Sequence, residues 1–368
     1  MRRMSVALVA GAAMALVTTM PVTASNPVWT RIASGLHSPR GVDVGPDGSV
    51  YVVEAGVGAG TSADAPGPTG EIIRIQYPRS AQPRIWSVAT GLTSFGSRAG
   101  ETVGPDGISV DQNGKVFTIM AASALGTGFP DPQLGQLLRI KSDGSWVAVG
   151  NVGDRDWKWS GYHTSWAAHD FPDANPYGVL VTHGHKYVVD AGTNTLDTVT
   201  SDGHVHIVAF FPNGAAADAT PTCITEGPDG ALDVGTLSLV DSLFAGPPHP
   251  AASVWRVDPS QLDPRSESAV QSVAHVWATG FWPITGCNFD NQGNLWVSEF
   301  ATGVGLAGPT GGALVKVPWA YPTDSSWWTT YGVGTLKFPG GVAADDQGNV
   351  YIANKSTSPS GTVLRLHP

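Results

Sequence analysis

The chain has 368 residues, 20 basic and 30 acidic side chains, and a formal net charge of −10 at pH 7. That sign of bulk charge disfavours nucleic acid and anionic lipid as partners. With 46 Gly, 28 Pro and only 14% charged residues, the composition fits many short strands joined by frequent turns and not a disordered chain. Length alone allows about two domains, but all-β folds of this size also run as one unit.

In chain order, Arg2 and Arg3 precede a short apolar stretch, Ser5 to Val17, and Val22-Thr23-Ala24 supplies small residues. This reads as a secretory signal peptide over residues 1–24, cleaved after Ala24 and too short to span a bilayer. The arginine pair matches a twin-arginine signal poorly. The mature chain, residues 25–368, then holds 18 basic against 30 acidic residues, a net charge of −12. It has no further apolar run of spanning length, so it is expected to be secreted or extracellular, a monomer, without a transmembrane segment.

A pattern then recurs six times. "GVDVGPDGSVYVVEA" begins at Gly41, "GISVDQNGKVFTIMA" at Gly107, "GVLVTHGHKYVVDA" at Gly178, "CITEGPDGALDVGTL" at Cys223, "GCNFDNQGNLWVSEF" at Gly286 and "GVAADDQGNVYIANK" at Gly341. Each has a polar turn ending in Gly (Gly48, Gly114, Gly184, Gly230, Gly293, Gly348), then alternating apolar residues. That is a β-hairpin whose tight turn needs a positive φ. Third strands follow at "GEIIRI", "GQLLRI", "NTLDTV", "ASVWRV", "GALVKV" and "GTVLRL". Five of them place Arg74, Arg139, Arg256, Lys316 or Arg365 at one position. Fourth strands fit "RIWSVAT", "SWVAVGN", "HVHIVAF" and "SVAHVWA".

Four-stranded units repeated around an axis make an all-β, six-bladed β-propeller. The sixth unit lacks a fourth strand, and "WTRIAS" at residues 29–34 lacks a hairpin. The N-terminal strand is therefore expected to complete the last blade and cover its edge. "GPDG" occurs at 45–48, 104–107 and 227–230. The first and third are hairpin turns, whereas the second stands where Pro39-Arg40-Gly41 stands in the first unit.

"IASGLHSPRGVDVGPDGSVYVVEAGVGAG" (from Ile32), "PDANPYGVLV" (from Pro172) and "VVDAGTNTLDTV" (from Val188) resemble the ScyD/ScyE family of secreted bacterial proteins across nearly all of the mature chain. The repeat elements are also similar to NHL-like repeats, gluconolactonase-type enzymes, streptogramin lyase and quinone-dependent sugar dehydrogenases. The resemblance implies the propeller fold and no settled activity.

In such a ring the insertions at 56–70, 121–135, 153–176, 236–251 and 301–312 share one face, where binding is expected. At the end of the second strand, Glu54, Asp190, Glu299 and Asn354 recur at one level. Their oxygens either converge on Ca²⁺ or another divalent cation, or cap backbone N–H groups of their own loops. Glu101, Asp106, Asp173, Asn175 and Glu226 are further candidates at the channel. Arg40 either binds an anion or pairs with Glu54 or a neighbouring blade. Trp157, Trp159 and Trp166, extended by Trp282, either form a stacking surface or bury one another. His163 and His169 lie in the same loop, and His169 is a loose candidate for a general base. Cys223 and Cys287 lie in first strands of adjacent blades, one position out of register. They are a disulfide candidate if their Cα atoms come within the ~7 Å bridging limit.

Two functions follow. One is a non-catalytic extracellular module binding a small molecule, glycan or protein on the long-loop face. The other is a metal-dependent lactonase-like hydrolase or lyase with carboxylates around the channel. A quinone-dependent oxidoreductase ranks behind both. Convergence of the four polar residues separates the first two.

Overall fold

A computed structural model of the chain describes residues 28–60, 65–96, 102–166, 171–266 and 270–368. Residues 1–24, read above as a signal peptide, and Glu101 and His169 lie outside these residues.

Each hairpin repeat opens one antiparallel sheet, and there are six such blades. Blade 1 is Pro39–Val44, Val50–Glu54, Pro66–Gln76 and Arg84–Gly96, with a fifth short strand at Thr102–Val103. Blade 2 is Pro105–Val110, Val116–Met120, Gln136–Ile140 and Trp146–Asn151. Blade 3 is Pro176–Thr182, His185–Asp190, Thr195–Val199 and Val205–Phe210; blade 4 is Pro221–Glu226, Leu232–Thr236, Ala252–Val257 and Ala274–Phe281. Blade 5 is Ile284–Phe289, Asn294–Glu299, Ala313–Pro318 and Thr329–Tyr331. Blade 6 is Val342–Ala344, Val350–Asn354 and Gly361–His367, and its outer strand is the N-terminal Val28–Leu36. Trp29 pairs with Leu366 and Ser34 with Thr362, so the strand expected to close the ring does so.

All six turn glycines adopt φ between 73° and 83°. At Gly48 and Gly348 an added Cβ would meet nothing within 4 Å, so backbone conformation and not space selects glycine there. The opposite holds at the axis. A Cβ on Gly41 would stand 2.8 Å from the Asp106 carbonyl oxygen of the next blade. Glycine in the first strand lets adjacent inner strands approach backbone to backbone.

Two devices recur between inner strands. Asp43, Ser109 and Asn288 hold one repeat position, and each accepts a backbone N–H of the following blade, from Val110, Val181 and Ala344 respectively. Near the other end, the Thr222 and Thr285 hydroxyls donate to the Ile284 and Pro339 carbonyls of the next blade. Apolar residues on facing sheets fill the wedges between blades. Phe117, Ile119, Leu137, Val179 and Val188 pack between blades 2 and 3; Cys223, Val254, Phe281, Leu295 and Val297 pack between blades 4 and 5.

Because the strands alternate in direction, the loops after second strands and the crossovers between blades emerge at one end. Helix α1 (Ala124–Thr127), α2 (Val152–Tyr162), α3 (Leu239–Leu243) and a small hairpin (Gly303–Gly305 with Gly308–Thr310) sit in these insertions. α2 gives the first part of the 153–176 insertion regular structure. Asn151 caps its N-terminus by accepting from the Asp154 N–H, and Asp154 accepts from Ser123 and Leu125 at α1. Among the described residues no helix is long and apolar enough to cross a membrane.

Candidate functional site

Second strands end opposite the start of first strands: Glu54 faces Pro39, Asp190 faces Pro176 and Glu299 faces Ile284. A short polar side chain at that corner reaches the backbone just before its own blade. Glu54 Oε2 accepts from the His37 N–H at 2.5 Å, Glu299 Oε1 from Trp282 at 2.9 Å, and Asn354 Oδ1 from Lys337 at 2.8 Å. Asp190 Oδ1 accepts three such bonds, from Asn175, Gly192 and Thr193, at 2.8–3.0 Å. All four side chains are buried. Burial pushes the Glu54 and Glu299 carboxyls up to about 7, against the opposing effect of the N–H each accepts.

These residues therefore do not share a centre. None of them lines the axial channel, which is narrow, about 60 Å³. Among the described residues no group of three or more His, Cys, Asp or Glu is spaced to hold a metal ion. The expected donor set does not fit Ca²⁺ or another divalent cation, because its oxygens are turned into separate loops.

First strands line the channel instead. A β-bulge inserts one residue at the entrance of each of blades 1 to 5. The channel lining includes Arg40, Asp106, Tyr177, Thr222 and Thr285, at successive equivalent positions. Arg40 Nε stands 3.6 Å from Asp106 Oδ1, an Arg40 terminal nitrogen donates to the Thr102 carbonyl at 2.9 Å, and the guanidinium lies beside the Tyr177 hydroxyl. Arg40 thus pairs with the neighbouring blade and not with Glu54. Burial raises Asp106 to about 6 although Arg40 opposes the shift. The sequence marked Arg40 and Asp106 separately; their pairing follows from the second GPDG standing in the place of Pro39-Arg40-Gly41.

A second acidic group went unread in the sequence. Asp156 of α2 is fully buried and its side chain meets those of Asp190 and Asp197 of blade 3, also fully buried. Neither Asp156 oxygen has a hydrogen-bond donor. Thr195 donates to Asp197. Burial, then the charges of Asp197 and Asp190, hold the Asp156 carboxyl well above the usual range. Burial and Asp190 do the same to Asp197, and burial raises Asp190. Three adjacent buried carboxylates cannot all ionise, so the cluster coheres by sharing protons.

The remaining candidates disperse. Glu226 lies at the hairpin-turn end, accepting from Thr182 and pairing with His183 at 3.2 Å. Asp173 accepts from the Ala174 N–H in the loop before blade 3. The aromatic loop folds on itself. Trp159 is 3% exposed, stacks on His163 and meets Trp166 edge-on, while Trp166 meets Phe210. Trp157 packs against Gly126 of α1. An open stacking surface made of these tryptophans is corrected accordingly; Tyr162, 87% exposed, and Phe171 are aromatics of this insertion that reach solvent. Trp282, half-buried, gives its N–H to Glu299. Cys223 and Cys287 form a disulfide with Cα atoms 5.7 Å apart, because the close approach of inner strands outweighs the one-residue offset.

No family model matches the sequence, and no curated protein matches it. Solved structures do match in fold. Virginiamycin B lyase from Staphylococcus aureus is 14% identical, with a TM-score of 0.51 over 93% of this chain and 100% of that one. A gluconolactonase from Xanthomonas campestris is 10% identical, TM-score 0.53, over 92% and 89%. The calcium-binding protein regucalcin from Agrobacterium tumefaciens is 12% identical, TM-score 0.52, over 91% and 92%. The chain shares the six-bladed β-propeller fold with them, and at these identities the likeness carries the fold alone.

Proposed function

We propose that this protein is a secreted β-propeller of ScyD/ScyE type that binds a small molecule, glycan or protein through its long-loop face without turning it over. One observation carries this reading. The polar side chains at the level where a catalytic centre would form are each committed to a backbone N–H of the segment leading into their own blade. The same end carries exposed large apolar side chains on its insertions: Leu125, Tyr162, Phe171, Phe244 and Leu306. Exposed apolar groups on loops held by a rigid scaffold are the usual material of binding surfaces. Export through the residue 1–24 signal agrees with the disulfide, which persists in oxidising compartments. The test is retention on glycan and small-molecule arrays, comparing the mature chain with Tyr162→Ser, Phe171→Ser and Leu306→Ser. Specific retention that weakens in these variants supports the reading; retention indifferent to all three sinks it.

A metal-dependent lactonase-like hydrolase or lyase is the second reading. It is favoured by Glu54 and Glu299, whose carboxyls at about 7 lie where proton transfer is efficient. A virginiamycin B lyase and a gluconolactonase are among the fold neighbours.

A further inference from the structure

We propose that a pocket on the outer rim of blade 3 binds a small organic anion, a sugar-sized body carrying a carboxylate or a phosphate. The pocket encloses about 460 Å³, within the range of small-molecule sites. Arg155 and Trp159 come from α2, His206 and Ile207 from the outer strand of blade 3. Pro264 and Arg265 come from the loop joining the third and fourth strands of blade 4. It shares no described lining residue with the axial channel, so the inference does not rest on the function proposed above.

The lining offers donors without acceptors to match. No Asp or Glu is among the described lining residues. Neither Arg155 nor Arg265 makes an ion pair within the described structure. Other arginines of this chain are spent differently: Arg74 pairs with Asp47 beside Trp86, and Arg256 pairs with Asp229 over Trp319. Arg155 and Arg265 face one pocket without a described carboxylate in its lining. The acid whose charge acts on Arg155 is Asp197, whose carboxyl burial and the charge of Asp190 push well above the usual range. Trp159 supplies the independent sign of a ligand. Its indole Nε1 is buried and donates to nothing, although a buried N–H ordinarily finds an acceptor. Two guanidinium forks and an indole N–H match a ligand group that only accepts, which is a carboxylate or phosphate.

Isothermal titration of the mature chain with D-glucuronate, D-glucose 6-phosphate and D-glucose tests this directly. Either anion is expected to bind, more weakly at high salt, and glucose is not. Glucuronate alone would assign the carboxylate and glucose 6-phosphate alone the phosphate. Arg265→Gln, on an exposed loop, and Arg155→Gln should each weaken binding about tenfold or more, as loss of a charged hydrogen bond does, with the thermal midpoint of Arg265→Gln unchanged. Absence of binding by both anions, equal binding of glucose, or full affinity in both variants overturns the proposal.

Discussion

Arg40 of blade 1 and Asp106 of blade 2 occupy the same bulge position in consecutive repeats, and their side chains meet 3.6 Å apart at the channel. An ion pair at this depth is a linkage whose removal from one side leaves a buried charge. Arg40→Met is expected to destabilise the fold by about 3 kcal/mol near neutral pH, and Asp106→Asn by less, since the amide oxygen can still accept from the Arg40 guanidinium, which also donates to the Thr102 carbonyl. Chemical denaturation of both variants measures this; equal losses would contradict it.

Stability should rise on mild acidification. Glu54, Asp233 and Glu299 are raised to about 7, Asp43 and Asp106 to about 6, and Asp156, Asp190 and Asp197 are raised as well. Each folded-state value lies above the ordinary value of a free carboxyl. The contribution of each group is thus fully present below its unfolded value and lost as pH rises through its folded value. The exposed carboxylates held low, such as Asp143 and Asp258, act in the opposite sense but are screened by solvent. The thermal midpoint should therefore climb as pH falls from about 8 to about 5. A midpoint falling over that interval would contradict the assignment.

Asp156→Asn separates the acid cluster from the rest. The amide keeps the shape, supplies a donor to Asp190 or Asp197 and cannot ionise. It should stabilise the chain at pH 8 by about 1–2 kcal/mol and flatten the pH dependence. Denaturant midpoints at two pH values read both effects.

The disulfide joins residues 64 apart in sequence. Chain-entropy reasoning gives a bridge closing such a loop about 4 kcal/mol of stability. The Cys223→Ser, Cys287→Ser double variant should lose that amount in chemical denaturation and gain two neutral hydroxyls next to Ile284 and Gly235. An unchanged midpoint under non-reducing conditions would mean that the bond does not form.

Legibility in the sequence followed locality. Gly48 and Gly348 announce their turns because a positive φ is a property of one residue, and the N-terminal strand announces its place because the sixth repeat is one strand short. The third-strand basic position was visible but not its purpose; Arg74 and Arg256 reach back to Asp47 and Asp229 of their own hairpin turns. Asp156 was silent. α2 lies outside the repeat, and its meeting with Asp190 and Asp197 depends on how an insertion docks. The outer strand of blade 5, Thr329–Tyr331, is too short to stand out by alternation. The cysteine pair was legible as a candidate, and the distance between inner strands decides it. That distance is not local to either cysteine; glycines at the axis draw these inner strands together.

Cation titration with parallel turnover tests the central claim, that the recurring polar residues hold loops and form no catalytic centre. The mature chain, stripped with chelator, is titrated with Ca²⁺, Mg²⁺ and Mn²⁺ by calorimetry while lactone and aryl-ester hydrolysis is followed, in the wild type and in Glu54→Gln and Glu299→Gln. The account predicts no cation uptake that depends on either glutamate and no cation-dependent turnover. Stoichiometric uptake abolished by either substitution, together with turnover that appears with the cation, would contradict it.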